Sequence, residues 1–359
     1  IGLIEITSKC DLKCPVCYAN SGEGDFLSFS AFDSMLNFYV ESEGGHAEIL
    51  QLSGGEPTLH PEILRFIKQA RTKKIAYVML NTNGLRIARD DEFVRELSRF
   101  GGGFEVYLQF DGFDDAVYEH FRGKGLTATK LKAVDILNSY NIPTTLVTTL
   151  ENGINDQILG KLIDFGLKTR CVRGINFQPT GYFGRLPDFD PGKRLTVTSV
   201  MRKIEEQTSS MIRASDFVPL PCNVDRVALT YFYKNKEKEF VPLTRNLDVK
   251  KYLPLIKNTF QFEPDDFLKN LTPAVLSKSC CNPSGLLKEF SKIIPVSYLF
   301  ITEEEKTAYV SENTFRISIT SFIDAYNFDI KSAQKECVHF ITPDLKKIPF
   351  STYNLFHRK

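Results

Sequence analysis

The chain has 359 residues, enough for one large domain or two ordinary ones, and 42% hydrophobic content supports a sizeable packed core. A net charge of +1 gives no electrostatic case for nucleic acid, and it leaves at most peripheral contact with a membrane. No apolar run approaches the ~20 residues that a bilayer crossing needs, and no signal-peptide pattern is visible, so the expected setting is cytoplasmic. Eight cysteines in a chain this long do not read as a disulfide framework; they read as thiols kept free in a reducing compartment. The first residue, Ile1, already lies inside a strand pattern, and a longer native N-terminus is expected. The 29 phenylalanines mostly belong to a core, with an apolar substrate channel as the rarer use.

Taken in order, apolar runs ending in polar or glycine residues fall at 4–7, 48–53, 76–81, 104–110, 144–149 and 173–178. Helical patterns separate them at 29–41, 61–73, 90–100, 127–140 and 155–165, with Pro61 and Asp90-Asp91 suited to first turns. Alternation of this kind predicts an α/β fold with a parallel sheet and right-handed crossovers; six units make an open, partial (β/α)6 barrel. The rhythm changes near residue 182, which divides the chain into 1–181 and a C-terminal α+β extension, 182–359. There a helix is expected at 196–209, a hairpin at 227–233 and 240–243, and strands at 315–322 and 338–341.

Chemistry-bearing motifs sit at the C-terminal ends of the strands, where barrels of this type place their sites. Cys10, Cys14 and Cys17 follow the first strand as C-x3-C-x2-C. Three soft thiolates so close together suit an iron–sulfur cluster, and three ligands on a 4Fe–4S cube leave one iron open to a small molecule. Zinc is the competing reading, but the loop has no fourth Cys or His and no second knuckle. Ser53-Gly54-Gly55-Glu56-Pro57 ends the second strand, where the glycines allow close backbone approach to a ligand or simply make a turn. Asn81-Thr82-Asn83-Gly84 ends the third, offering side-chain amides or an Asx turn. Gln109-Phe110-Asp111-Gly112 ends the fourth, and Asp-Gly also makes turns. Arg122 follows, able to pair bidentately with a ligand carboxylate but by default a surface charge; Asn155 reads as a helix cap, Gln178 faces the barrel mouth, and Cys171 reads as core.

With the cysteine loop just past the first strand and the glycine motif one βα unit later, the chain resembles the radical S-adenosylmethionine (SAM) superfamily. The resemblance implies that residues 1–181 are a radical SAM partial barrel. It also implies a 4Fe–4S cluster on Cys10, Cys14 and Cys17 that binds SAM through the open iron. An electron from the cluster then cleaves SAM to a 5′-deoxyadenosyl radical, which abstracts hydrogen from an unactivated C–H bond. The implied cofactor contacts are Gly54, Gly55, Glu56 and Pro57 near the SAM amino group, with Asn81, Asn83, Gln109, Asp111 and Gln178 around it. Such an enzyme is oxygen-sensitive and takes electrons from a partner such as ferredoxin or flavodoxin. The position before the third cysteine, often aromatic in the superfamily, is Val16 here, with Tyr18 on the other side of Cys17.

The C-terminal half resembles the subgroup that contains the archaeal tetraether-lipid synthase and the methylases of pterin cofactor biosynthesis. The residues that carry this likeness are Phe217 to Cys222, Tyr326 to Asp329, Cys337-Val338-His339 and Pro349 to Asn354. Members typically hold auxiliary clusters, with a tail Cys-Cys-x-His…Pro-Asp-Gly…Pro-Phe-Cys-x-Tyr-Asn. Here Glu336, Leu345 and Ser351 replace the first cysteine, the glycine and the last cysteine. One auxiliary 4Fe–4S cluster is still expected on Cys222, Cys280, Cys281 and Cys337, with His339 or Glu336 as substitutes. The bland alternative is buried free thiols.

Three functions follow from the resemblance. The first is a transferase-type radical enzyme that forms a C–C bond on a lipid or small apolar substrate. The second is a peptide-modifying maturase with an auxiliary cluster. The third is a family member that binds a cluster without catalysis.

Overall fold

Strands with apolar residues on both faces need cover on both sides, which crossover helices supply in a parallel sheet. A computed structural model describes residues 1–186, 190–235, 239–245 and 302–358. Cys280 and Cys281 lie outside the described residues. Strands β1 (Gly2–Thr7), β2 (Ala47–Gly54), β3 (Ile75–Thr82), β4 (Phe104–Gln109), β5 (Thr144–Leu150) and β6 (Val172–Pro179) pair in sequence order, every pair parallel. Between them run α1 (Phe29–Ser42), α2 (Ile63–Thr72), α3 (Asp91–Ser98), α4 (Asp115–Phe121), α5 (Thr127–Ser139) and α6 (Leu159–Lys168). Each helix turns an apolar stripe inward: Phe32, Phe66, Val94, Tyr118, Leu137 and Leu162 are fully buried.

Within residues 1–181 the expected strands and helices are present, with two differences. The short helix α4 was not expected. Helix α6 starts at Leu159, later than the expected 155, because Asn155 closes the preceding loop and caps nothing. Its Nδ2 donates to the carbonyls of Asp111 (3.0 Å) and Thr149 (2.8 Å), and its Oδ1 accepts from Glu151 N at 3.1 Å. Cys171 is fully buried, as expected of a core residue.

The sheet does not stop at residue 181. After helix α7 (Val197–Gln207) come β7 (Val218–Pro219), β8 (Val227–Lys234), β9 (Phe240–Pro242), β10 (Thr314–Thr320), β11 (His339–Ile341) and β12 (Lys347–Pro349). β10 adds to the edge of β6 and β11 to the edge of β1, both parallel, so the parallel array runs β11-β1-β2-β3-β4-β5-β6-β10. β8 pairs antiparallel with β10 and β9 with β8, which is the expected charged-turn hairpin; β12 closes antiparallel on β11. β1 and β6 do not pair with each other, so the barrel is open. Among the described residues no helix is long and apolar enough to cross a membrane.

Candidate functional site

Glycine at 54 and 55 is dictated by the chain that crosses above it. Gly54 has φ +130°, and a Cβ there would lie 2.0 Å from the Thr7 carbonyl oxygen. A Cβ on Gly55 would lie 2.0 Å from the Lys9 carbonyl oxygen. Two backbone bonds use this closeness: Gly55 N donates to Thr7 O (2.8 Å) and Glu56 N to Lys9 O (2.7 Å). The cysteine loop is thereby stitched onto the end of β2. From the other side Cys17 and Arg185 exchange backbone bonds at 2.9 Å, and the Arg185 side chain donates to Cys14 O at 2.6 Å.

Cys10, Cys14 and Cys17 carry no disulfide and line one cavity of about 250 Å³. Burial pushes the Cys10 thiol up to about 12 and raises Cys14 as well, against the pull of Arg122 on Cys14. Thiols held this way ionise when a cation binds them. Among the described residues no three His, Cys, Asp or Glu side chains form a group that could hold one metal ion. A cube takes each thiolate on a separate iron and needs no such convergence. The donor set and the backbone cradle therefore fit a cluster with an open iron.

The same cavity is walled by Gly54, Gly55, Glu56 and Pro57 and by Asn81, Asn83, Gln109 and Gln178. Glu56 is nonetheless occupied. Its carboxylate accepts from Thr58 N (3.1 Å), Thr58 Oγ1 (2.6 Å), Thr82 Oγ1 (2.7 Å) and Asn83 N (2.7 Å), which locks the end of β3 to the turn after β2. Burial still raises its pKa above the usual carboxylate value. Asn83 Nδ2 is held by Asp11 at 2.7 Å. Asn81 differs: it lines the cavity, its Nδ2 reaches Ser53 Oγ at 3.3 Å, and its Oδ1 is buried without a hydrogen-bond partner. Ser53 Oγ also bonds the Tyr18 hydroxyl at 2.7 Å. Gln178 Nε2 donates to the Tyr107 hydroxyl at 3.2 Å, deep on the same wall.

Asp111, expected as a direct contact, does not line the cavity; it sits behind it, fully buried. Its carboxylate accepts from Arg122 Nε (2.7 Å) and Nη2 (3.1 Å) and from Thr149 N (2.9 Å). Arg122, read by default as a surface charge, is 6% exposed and lines the cavity. Burial opposes its charge, but Asp111 more than compensates and holds its pKa above normal. It also donates to Val16 O (3.1 Å) and Thr149 Oγ1 (2.6 Å), and the Gln109 side-chain carbonyl, oriented to satisfy both groups, accepts from it at 3.0 Å. Lys130 of α5 gave no sequence signal. Fully buried, it donates to the carbonyls of Asn83 (2.5 Å) and Gln109 (3.0 Å), tying together the ends of β3 and β4.

The C-terminal residues close the far side of the cavity. Cys222 and Cys337, both expected as cluster ligands, are brought together and joined as a disulfide. They are available as thiolate ligands only after reduction. The two replacements in the tail also meet: Glu336 accepts from Ser351 N at 2.8 Å and from Ser351 Oγ. Phe183, Phe322 and Phe350 line the same side.

Residues 4–166 match the model of the radical SAM superfamily. The chain is 29% identical to 7,8-dihydro-6-hydroxymethylpterin dimethyltransferase of Methanocaldococcus jannaschii over 99% of its own length and 76% of that protein's. It is 26% identical to PqqA peptide cyclase of Streptomyces rochei, covering 51% of this chain and 48% of the relative. Among solved structures, Streptococcus suis SuiB bound to S-adenosylmethionine superposes with TM-score 0.46 and 17% identity, over 58% of this chain and 47% of that one.

Proposed function

We propose that the protein is a radical SAM enzyme, as the match of residues 4–166 to that superfamily's model supports, and that it activates a C–H bond to form a C–C bond on a small substrate. Three unbonded cysteines on one wall of a cavity, held against a glycine cradle, carry this reading. When bound there, a 4Fe–4S cluster and SAM supply a carbon radical that removes hydrogen from an unactivated carbon. The chain's own residues bind, orient and shield. Cys10, Cys14 and Cys17 would hold the cluster. Asn81 Oδ1 offers an acceptor to SAM, and Arg122 offers a guanidinium to its carboxylate, with Gly54 to Pro57 and Gln109 alongside. Gln178 and Asn83 complete the polar wall. Phe183, Phe322 and Phe350 give the substrate an apolar face and keep water from the radical. Those phenylalanines support an apolar part of the substrate; Tyr107, Asn176 and Gln178 on the strands support a polar one.

Methyl or other one-carbon transfer is the finer form of the proposal, supported by the near-complete alignment with a dimethyltransferase. The protein takes electrons from a ferredoxin or flavodoxin and works in the cytoplasm. An auxiliary cluster on reduced Cys222 and Cys337 together with Cys280 and Cys281 is part of the same proposal. Anaerobic incubation with SAM and a strong reductant tests it by mass spectrometry. The expected product is 5′-deoxyadenosine, lost in Cys14→Ala, with S-adenosylhomocysteine alongside if methyl transfer occurs. Cluster-loaded protein that makes neither product overturns the enzyme reading. About eight irons per chain supports the auxiliary cluster and about four removes it.

A further inference from the structure

We propose that Tyr107 is a hydrogen-atom donor to carbon radicals in this cavity, and that it quenches the radical left on the substrate once the C–C bond has formed. The inference rests on the reading of the chain as a radical SAM enzyme and names the fate of that radical. Tyr107 lies on β4, where Val106 and Leu108 are fully buried in the core, so by alternation Glu105, Tyr107 and Gln109 take the opposite face. Tyr107 is half-buried and lines the same cavity as the three cysteines. Its hydroxyl meets Asn176 and Gln178 of β6, two strands away across β5. The ring therefore lies over the inner face of the sheet, with its hydroxyl among side chains that themselves line the cavity.

The hydrogen of that hydroxyl is unclaimed. The phenolic oxygen accepts both of its bonds, one from Asn176 Nδ2 and one from Gln178 Nε2 at 3.2 Å. Thr320 sets Asn176 in this orientation, its Oγ1 donating to Asn176 Oδ1 at 3.1 Å. A phenol has one hydrogen to give, and among the described residues no group accepts it from Tyr107. Tyr18, the other tyrosine on the cavity, has its hydroxyl bonded to Ser53 Oγ at 2.7 Å. Removal from water pushes the Tyr107 phenol up to about 12, so at neutral pH the hydrogen stays on the oxygen. A phenolic O–H bond is weaker than an alkyl C–H bond, and a carbon radical takes its hydrogen downhill. In that step the substrate gains a C–H bond, and Tyr107 loses its O–H bond to become a neutral phenoxyl radical. One electron from the ferredoxin or flavodoxin and one proton from water then restore the phenol.

The test needs no substrate, because abortive cleavage of SAM leaves the 5′-deoxyadenosyl radical in the same cavity. Cluster-loaded, full-length protein equilibrated in heavy water receives SAM and dithionite, without added thiol. Mass spectrometry reads deuterium in the 5′-deoxyadenosine, and freeze-quench electron paramagnetic resonance reads the radicals. The exchanged phenol should deliver its deuterium and give mono-deuterated 5′-deoxyadenosine, since the bonds of water are too strong to supply it. A tyrosyl signal should accompany it and narrow in protein made with ring-deuterated tyrosine. Tyr107→Phe, with circular dichroism checking the fold, should lose that signal and the deuterium from whatever 5′-deoxyadenosine it forms. On the wild type alone, 5′-deoxyadenosine without deuterium and without a tyrosyl signal overturns the proposal. An unchanged deuterium fraction in folded Tyr107→Phe overturns it too. No 5′-deoxyadenosine at all brings down the radical reading and this inference with it, so the two failures are distinguishable.

Discussion

Removing either member of the Asp111–Arg122 pair should destabilise the protein by several kcal/mol, and removing both should cost far less than the sum. Asp111 is fully buried and Arg122 is 6% exposed, so solvent cannot take over for a missing partner. Breaking a buried ion pair costs about 3–5 kcal/mol because the remaining charge is left uncompensated. Asp111→Ala belongs at the upper end. It strands the guanidinium with neutral acceptors, Val16 O, Thr149 Oγ1 and the Gln109 side-chain carbonyl, and also takes the acceptor from Thr149 N. Arg122→Ala belongs at the lower end, since Asp111 keeps the Thr149 N–H and Thr149 N keeps its acceptor. The double variant buries neither charge and should fall at least ~2 kcal/mol short of additivity. Urea unfolding of anaerobic protein, followed by far-UV circular dichroism at constant m-value, measures all four forms. Additive single effects would refute the claim that the two charges act as one unit.

Gly54→Ala should lose iron from the cysteine loop and melt at lower temperature, because a Cβ at φ +130° meets the Thr7 carbonyl; iron content equal to wild type would contradict this. Lys130 gives a pH test. Burial pushes its pKa from 10.5 down to about 8. Between those values the folded protein has released a proton that the unfolded chain still holds, so stability rises with pH over that window. The gain is about 3 kcal/mol, at 1.36 kcal/mol per pKa unit. Wild type minus Lys130→Met, measured by urea unfolding from pH 7.5 to 10.5, should rise accordingly, and a flat difference would refute it.

The six βα units and the cysteine–glycine pairing were legible because each rests on local periodicity or on spacing along one segment. The residues that hold the site from behind were not. Arg122 looks like any arginine near a helix end until Asp111 and Val16 O come around it, and Lys130 occupies an ordinary helix position. Asp111 was read as a ligand contact because its place at a strand end is right, but its depth is set by Arg122 and Thr149. The parallel pairing of β10 and β11 onto the two barrel edges depends on contacts between distant segments, which no local pattern carries. Glu336 and Ser351 were read as separate losses from a family pattern; in three dimensions they are one hydrogen-bonded pair.

The edge pairing of β11 with β1 has a consequence for how the protein is made. His339 lies opposite Gly2, so the strand that leads into the cysteine loop lacks its outer neighbour until almost the whole described chain has left the ribosome. Domains begin to fold during synthesis, N-terminal parts first. Through that interval Leu3 of β1 also lacks its apolar cover, because Phe340 and Phe350, the buried side chains it packs with, belong to the last segment to be made.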